Sequence, residues 1–179
     1  VGGFDNVTLK PNGKVMKLLT KLSIENIFHP FQTFFFGQKN LAPKIAAKFG
    51  IDLVFFGENE AEYGNPIADN NTSLRDKAIF ASENLDDIYL GGVSIKDLES
   101  KHNLSKNDLN LFLPPTLSEI ENSNISVRYL GYYLKWTPQE TFYFAVKNGD
   151  FLPRPFRTQG TYSKYNSIDD KIDDLHYYT

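Results

Sequence analysis

Residues 51–56, Ile-Asp-Leu-Val-Phe-Phe, constrain the fold more than any other stretch of this chain. Apart from Asp52 they are apolar and of β type, the pattern of a strand covered on both faces in a parallel sheet. Parallel strands need long crossover connections, usually helical, that lie against the sheet. The preceding sequence supplies two helical patterns. Val15, Leu18, Leu19, Leu22 and Phe28 recur at helical spacing while Lys14, Lys17, Lys21 and Glu25 take the other face, and Pro30 stops the run. After the aromatic residues 31–36 and Gly37, Asn40-Leu41-Ala42-Pro43 opens a second pattern through Ile45, Ala46, Ala47 and Phe49. Gly50 stands where a helix C-terminal glycine belongs. Residues 4–9 alternate weakly and read as a short strand closed by the Pro11-Asn12-Gly13 turn. Strand, helix, helix, strand is a crossover unit, and it predicts an α/β fold with a doubly wound parallel sheet.

Three segments follow from the remaining pattern: 1–66, 67–125 and 126–179. The middle one is a helical and loop insertion. Residues 65–76 are polar, with Asp69, Asn70, Asn71 and Thr72 suited to turns; Ser94 caps a helix through about His102, and Ser105 another through Phe112, stopped by Pro114-Pro115. Two short helices with a tight turn resemble a helix-turn-helix, but 19 basic residues against 22 acidic ones leave a net charge of −3, which disfavours nucleic acid and anionic membranes as partners. The last segment has an aromatic and β-branched strand over 127–133. The capping box Thr137-Pro138-Gln139-Glu140 then opens a helix that Gly149 ends, and an extended stretch with a short helix over 168–175 follows. Cysteine is absent, which excludes disulfides, Cys-ligated zinc and thiol catalysis within these residues. No apolar run approaches the roughly 18 residues of a membrane helix and no signal segment opens the sequence, so the expected location is cytoplasmic.

Two clusters could carry chemistry. Gly57-Glu58-Asn59-Glu60-Ala61-Glu62-Tyr63-Gly64 follows directly on the apolar strand, at the end of a parallel sheet where ligands bind. Its carboxylates and the Asn59 amide could orient a hydroxylated substrate, hold magnesium or act as a general base; a solvated acidic turn is the bland alternative. The second cluster, Arg154-Pro155-Phe156-Arg157 and Gly160-Thr161-Tyr162-Ser163-Lys164-Tyr165, suits an anionic group such as phosphate. Its alternative is a solvated loop whose arginines pair with Asp169, Asp170, Asp173 or Asp174. Of the three histidines, His29 beside an aromatic patch reads as structural, His102 as exposed, and His176 as the acid-base candidate. No histidine pair has metal-ligand spacing, and neither a Gly-rich phosphate loop nor a Gly-x-Ser-x-Gly elbow occurs.

Several strings resemble a known family. Gly3-Phe4-Asp5-Asn6, Pro11-Asn12-Gly13-Lys14-Val15, His29-Pro30-Phe31-Gln32, Gly37-Gln38-Lys39-Asn40 and 56–65 are similar to the N-acetyl sugar amidotransferases of bacterial lipopolysaccharide and flagellar glycan synthesis. So are Arg128-Tyr129-Leu130-Gly131-Tyr132-Tyr133, the run 160–165, Ser167-Ile168-Asp169-Asp170-Lys171-Ile172-Asp173 and His176-Tyr177-Tyr178; support is thinnest over 67–124. The resemblance implies an ATP-pyrophosphatase-type fold related to the adenine nucleotide alpha hydrolases, with 1–66 as a segment of the nucleotide-binding core. It also implies ATP with Mg2+, a nucleotide-linked acetamido sugar as substrate, and ammonia from a separate glutaminase subunit. By matching position, Glu58, Asn59 and Glu62 would line the site at the strand end and Arg157, Lys164, Asp169, Asp170 and Lys171 its second wall; Glu58, Asn59, Glu62, Asp169 and Asp170, with the acid-base candidate His176, are the expected catalytic residues. Lys39, Tyr63, Arg154, Arg157, Lys164 and Lys171 would bind nucleotide or sugar. The family's Ser-Gly-Gly-x-Asp-Ser phosphate loop and its Cys-x-x-Cys-like elements do not occur here, so an internal fragment of a longer enzyme, incomplete at the N-terminus, is expected. A non-catalytic glycan-binding or scaffold domain and another ATP-activating ligase on the same fold are the alternatives.

Overall fold

The computed structural model describes residues 3–57, 71–135 and 137–166. The chain forms two compact units, Val1–Phe55 with Leu74–Arg128, and Phe56–Ser73 with Tyr129–Thr179. The architecture is mixed helix and strand with a small parallel sheet, an α/β arrangement.

In the first unit the Asn12 side chain accepts a hydrogen bond from the Lys14 N–H and starts helix α1 (Gly13–Ile27). Helix α2 (Gln32–Phe49) begins well before the expected opening at Asn40 and takes in the aromatic run, with Pro43 inside it and Gly50 closing it at φ 65°. The reason lies in its buried stripe, Thr33, Asn40, Pro43 and Ala46, half of which is polar and which therefore hides the helical period. The Ser23 and Thr33 hydroxyls meet 3.4 Å apart, buried. Residues 4–9, expected as a strand, are exposed and carry no regular secondary structure; Val7 and Thr8 alone do not hold a strand that has no neighbour.

The core of this unit joins Val15, Leu19 and Leu22 of α1 to Ile88, Leu90, Ile95, Leu98, Leu109, Phe112 and Leu113. Each fully buried aliphatic side chain contributes about 1.5–3 kcal/mol relative to exposure. Strands β2 (Tyr89–Leu90) and β3 (Val93–Ser94) form an antiparallel hairpin around Gly91 and Gly92, at φ 62° and 72°. A two-residue turn of this kind requires left-handed backbone at both positions. Gly91 also sits so close to α1 that a Cβ would lie 2.9 Å from the Leu19 carbonyl oxygen. The Asn26 amide donates to the Gly91 carbonyl at 2.8 Å. The Gln32 amide grips the same hairpin twice, donating to the Tyr89 carbonyl at 2.9 Å and accepting from the Gly91 N–H at 2.8 Å.

Ser94 caps α3 (Ile95–His102) as expected, whereas α4 (Lys106–Leu109) is shorter than its pattern and the chain turns through 110–112. Helix α5 (Leu117–Asn122) opens with a Thr116–Glu119 capping box. Strand β4 (Ser126–Tyr129) pairs with β1 (Leu53–Phe56), and the Ser126 N–H donates to the Asp52 carbonyl at 2.8 Å. On its other side β4 receives Leu74 in an antiparallel bridge to Arg128. β4 stops at Tyr129 instead of running to Tyr133, because 130–132 coil into a tight helical turn. β1 is not covered on both faces: Leu53 and Phe55 are 48% and 47% exposed, since a sheet this small does not collect a helical layer on each face.

In the second unit Pro138 occupies the first turn of helix α6 (Pro138–Asn148), as expected, but Thr137 makes no side-chain cap bond. The Gly149 N–H closes the helix on the Ala145 carbonyl at 2.8 Å. Phe142 stacks on Tyr165 with centroids 4.7 Å apart and meets Phe151 edge-on at 6.1 Å. Those rings tie α6 to the segment that carries the basic residues.

Candidate functional site

That basic segment folds back on itself. The Arg154 N–H donates to the Lys164 carbonyl at 2.9 Å and the Thr158 N–H to the Ser163 carbonyl at 3.0 Å, closing a hairpin-like loop. Its tip is a turn in which the Thr161 N–H donates to the Thr158 carbonyl at 3.1 Å, with Gly160 at φ 76°. Glycine takes this left-handed backbone without the Cβ penalty other residues carry. Thr158, only 1% exposed, anchors the loop by donating its hydroxyl to the Asn166 carbonyl at 2.6 Å. The Thr161 hydroxyl donates to the Thr158 carbonyl at 2.9 Å, and the Tyr165 hydroxyl donates to the Gln139 side chain at 3.3 Å.

An open cavity of about 530 Å³ lies on this loop, lined by Arg157, Thr158, Gln159, Gly160, Thr161 and Tyr162. Arg157 and Lys164 are exposed, and among the described residues neither forms an ion pair; Arg154 is half-buried beside them in sequence. The exposed Arg157 guanidinium beside this internally hydrogen-bonded turn can meet a phosphate or carboxylate with its planar fork. Phe56 and Gly57, the described end of strand β1, belong to this same unit, and the Gly57 carbonyl oxygen comes within 4.0 Å of where a Cβ on Gly131 would lie.

Of the residues singled out from sequence, Arg154, Arg157 and Lys164 are thus brought onto one loop. Lys39 belongs to the first unit, on α2, where it lines a cavity of about 430 Å³ with Ile27, His29, Gln32, Phe35, Phe36 and Ile79. Glu58, Asn59, Glu62, Tyr63, Asp169, Asp170, Lys171 and His176 lie outside the described residues, as do Glu60, Asp173, Asp174 and the expected helix over 168–175. Among the described residues no three His, Cys, Asp or Glu side chains gather as a metal site, and the carboxylates offered for magnesium are outside them. His29 is half-buried: its Nδ1 accepts from the Phe31 N–H at 3.3 Å and its ring packs on Phe35 at 5.6 Å, as the structural reading of this residue expects.

The first unit holds a second cavity, about 390 Å³, between α2 and residues 78–89, with Gln32, Asn40, Ser82, Asp87 and Tyr89 among its walls. Asn40, 1% exposed, donates to the Phe112 carbonyl at 2.9 Å and so fixes one end of that wall. Sequence patterning gave the Gln32 and Asn40 side chains no such anchoring role, since a single polar residue inside a helix has no signature until its partner is known. Near them Lys44 donates to the Asn110 carbonyl, and burial pulls its ammonium below the ordinary lysine range, partly countered by Glu119. Glu119 itself is held below the usual glutamate range by hydrogen bonds from the Thr116 N–H and hydroxyl.

Among the described residues no helix is long and apolar enough to cross a membrane. The chain matches no protein-family model and no curated protein. What stands is an α/β chain whose second unit presents a rigid cationic loop.

Proposed function

We propose that this chain belongs to an ATP-dependent amidotransferase that converts a sugar acetamido group to an acetamidino group in bacterial surface glycan synthesis, on a doubly wound fold of the adenine nucleotide alpha hydrolase type. The observation that supports this most is that the end of the parallel strand β1, at Phe56–Gly57, and the loop bearing Arg154, Arg157 and Lys164 fall in one compact unit. In an α/β sheet the carboxyl end of a parallel strand is where ligands bind, and a cationic loop in the same unit suits the phosphates of ATP.

The chemistry requires activation because an amide oxygen is a poor leaving group. The acetamido oxygen attacks the α-phosphorus of ATP, pyrophosphate departs, and the resulting adenylated imidate is attacked at carbon by ammonia. AMP leaves with the former amide oxygen, and loss of a proton gives the amidine. Arg157 and Lys164 would hold phosphate oxygens; Glu58, Asn59, Glu62, Asp169, Asp170 and His176 would orient the sugar and move protons, and magnesium would accompany the nucleotide. Ammonia from a glutaminase partner must reach a site closed to water, since water would hydrolyse the activated intermediate.

The test is AMP release by the protein as its gene encodes it, supplied with ATP, Mg2+, ammonia and a nucleotide-linked acetamido sugar. AMP formation that needs both sugar and ammonia is expected. Sugar binding without AMP would establish a glycan-binding scaffold instead. Glu58→Gln and Asp170→Asn are each expected to abolish turnover with an unchanged Tm.

A further inference from the structure

Helix α6 has an outward stripe that none of the described residues of its own unit covers. Ala145 and Phe142 are half-buried, and Phe142 packs on Phe151 and Tyr165; Glu140, Tyr143, Phe144 and Lys147 are all exposed, Tyr143 by 62% and Phe144 by 69%. At 3.6 residues per turn, positions 140, 143, 144 and 147 fall on one face, opposite 142 and 145. Two large aromatic rings left in water on a helix that buries no residue fully mark a surface made for a partner.

The order of the four side chains says which partner. Read from the midpoint between Tyr143 and Phe144, the stripe is its own complement: an acid stands one turn before the rings and a base one turn after. An identical helix laid antiparallel across it sets Glu140 against Lys147 of the partner subunit, Lys147 against Glu140 of the partner subunit, and the four rings between them. This is the arrangement a two-fold axis requires, where one patch meets itself. Neither Glu140 nor Lys147 forms an ion pair among the described residues, so both charges are available to a second copy. A standard interface buries about 800 Å² per partner. Tyr143 and Phe144 supply its aromatic centre.

We propose that the outward face of α6 is a homodimer interface, formed by antiparallel pairing with a second copy of this chain about an axis between Tyr143 and Phe144. The proposal is independent of the enzymatic function. Sedimentation velocity of the full chain, over a concentration series and at low ionic strength, reads it directly. The expected result is a monomer–dimer equilibrium. Glu140→Lys alone sets two lysines against each other at both ends, Lys147→Glu alone two acids, and each is expected to raise the dimer Kd about tenfold or more. The double variant Glu140→Lys with Lys147→Glu restores both pairs and is expected to recover the wild-type Kd. A misfolding defect would not be rescued in this way. Phe144→Glu, with Tm measured alongside, is expected to leave a folded monomer. A wild-type chain that stays monomeric, a dimer indifferent to the single reversals, or a double variant no better than the singles would each overturn the proposal.

Discussion

The two units of this chain are stabilised by different means. The first is built on aliphatic burial: Leu19, Leu90, Leu98, Leu109 and Ile120 are fully enclosed, and the loops are fixed by side-chain amides at Asn26, Gln32 and Asn40. In the second, Tyr129 and Thr158 are the buried residues among those described, and the rest of its order comes from ring stacking at Phe142 and the hydrogen bonds of the 154–166 loop. A core of the first kind resists change and offers little surface chemistry. A unit of the second kind leaves Arg157, Lys164, Tyr143 and Phe144 in solvent, where ligands and partners can be met. Binding surfaces are carried by the part of a molecule that spends least of its side-chain area on itself.

The contrast can be broken at its strongest point first. Leu98→Ala removes a fully buried side chain from the middle of the first core and is expected to cost about 2–5 kcal/mol, read as a lowered urea midpoint. A loss under about 1 kcal/mol would mean that this cluster does not hold the unit together. Phe142→Ala should cost less, on the order of 1–3 kcal/mol, and act locally, since it removes a half-buried ring with two aromatic neighbours. Hydrogen exchange at the Arg154 and Thr158 amides is expected to speed up while the Leu104 amide, bonded to the Leu98 carbonyl, keeps its protection. Equal acceleration at all three sites would erase the distinction between the units.

A smaller effect sharpens the same contrast through pH. The Glu119 carboxylate accepts from the Thr116 N–H at 2.7 Å and the Thr116 hydroxyl at 2.9 Å, so its folded-state pKa lies below the unfolded one. Its contribution is therefore complete above the ordinary glutamate value of about 4.3 and disappears as pH falls through the lower folded value. Glu119→Gln is expected to cost under about 1 kcal/mol at neutral pH, because the cap is largely exposed, and progressively less in acid. A constant gap from neutral pH down to strong acid would show that the carboxylate charge plays no part. The smallest effect on stability is expected of Arg157→Ala, which should leave Tm unchanged while lowering AMP formation at least tenfold; a destabilised variant would make Arg157 a structural residue.

Much of the first unit was legible in the sequence where one signal stood for one interaction. Gly50 and Ser94 end and start helices at the expected places, and in the second unit Pro138 opens α6. The signal failed where two distant pieces had to meet. Residues 4–9 carry a weak strand pattern, but a strand exists only with a neighbour, and these residues have no strand partner. The apolar run 51–56 gave the right element and the right parallel sense, yet its coverage depends on what packs above it, which composition alone does not contain. The Thr116–Glu119 capping box and the Gly91-Gly92 hairpin had readable local signatures that apolar periodicity overlooks. In the candidate site, the basic residues, hydroxyls and glycine of 154–165 pointed to a loop suited to an anion, but that Thr158 is its buried anchor follows only from the bond to Asn166.

The central claim is that the second unit serves adenylation of an acetamido oxygen, and following that oxygen tests it most directly. A nucleotide-linked acetamido sugar labelled with heavy oxygen in its amide is incubated with the protein, ATP, Mg2+ and ammonia, and the AMP is analysed by mass spectrometry. AMP carrying one heavy oxygen, in amounts equal to the acetamidino product, is the expected result. Unlabelled AMP, or product formed without AMP, would contradict it.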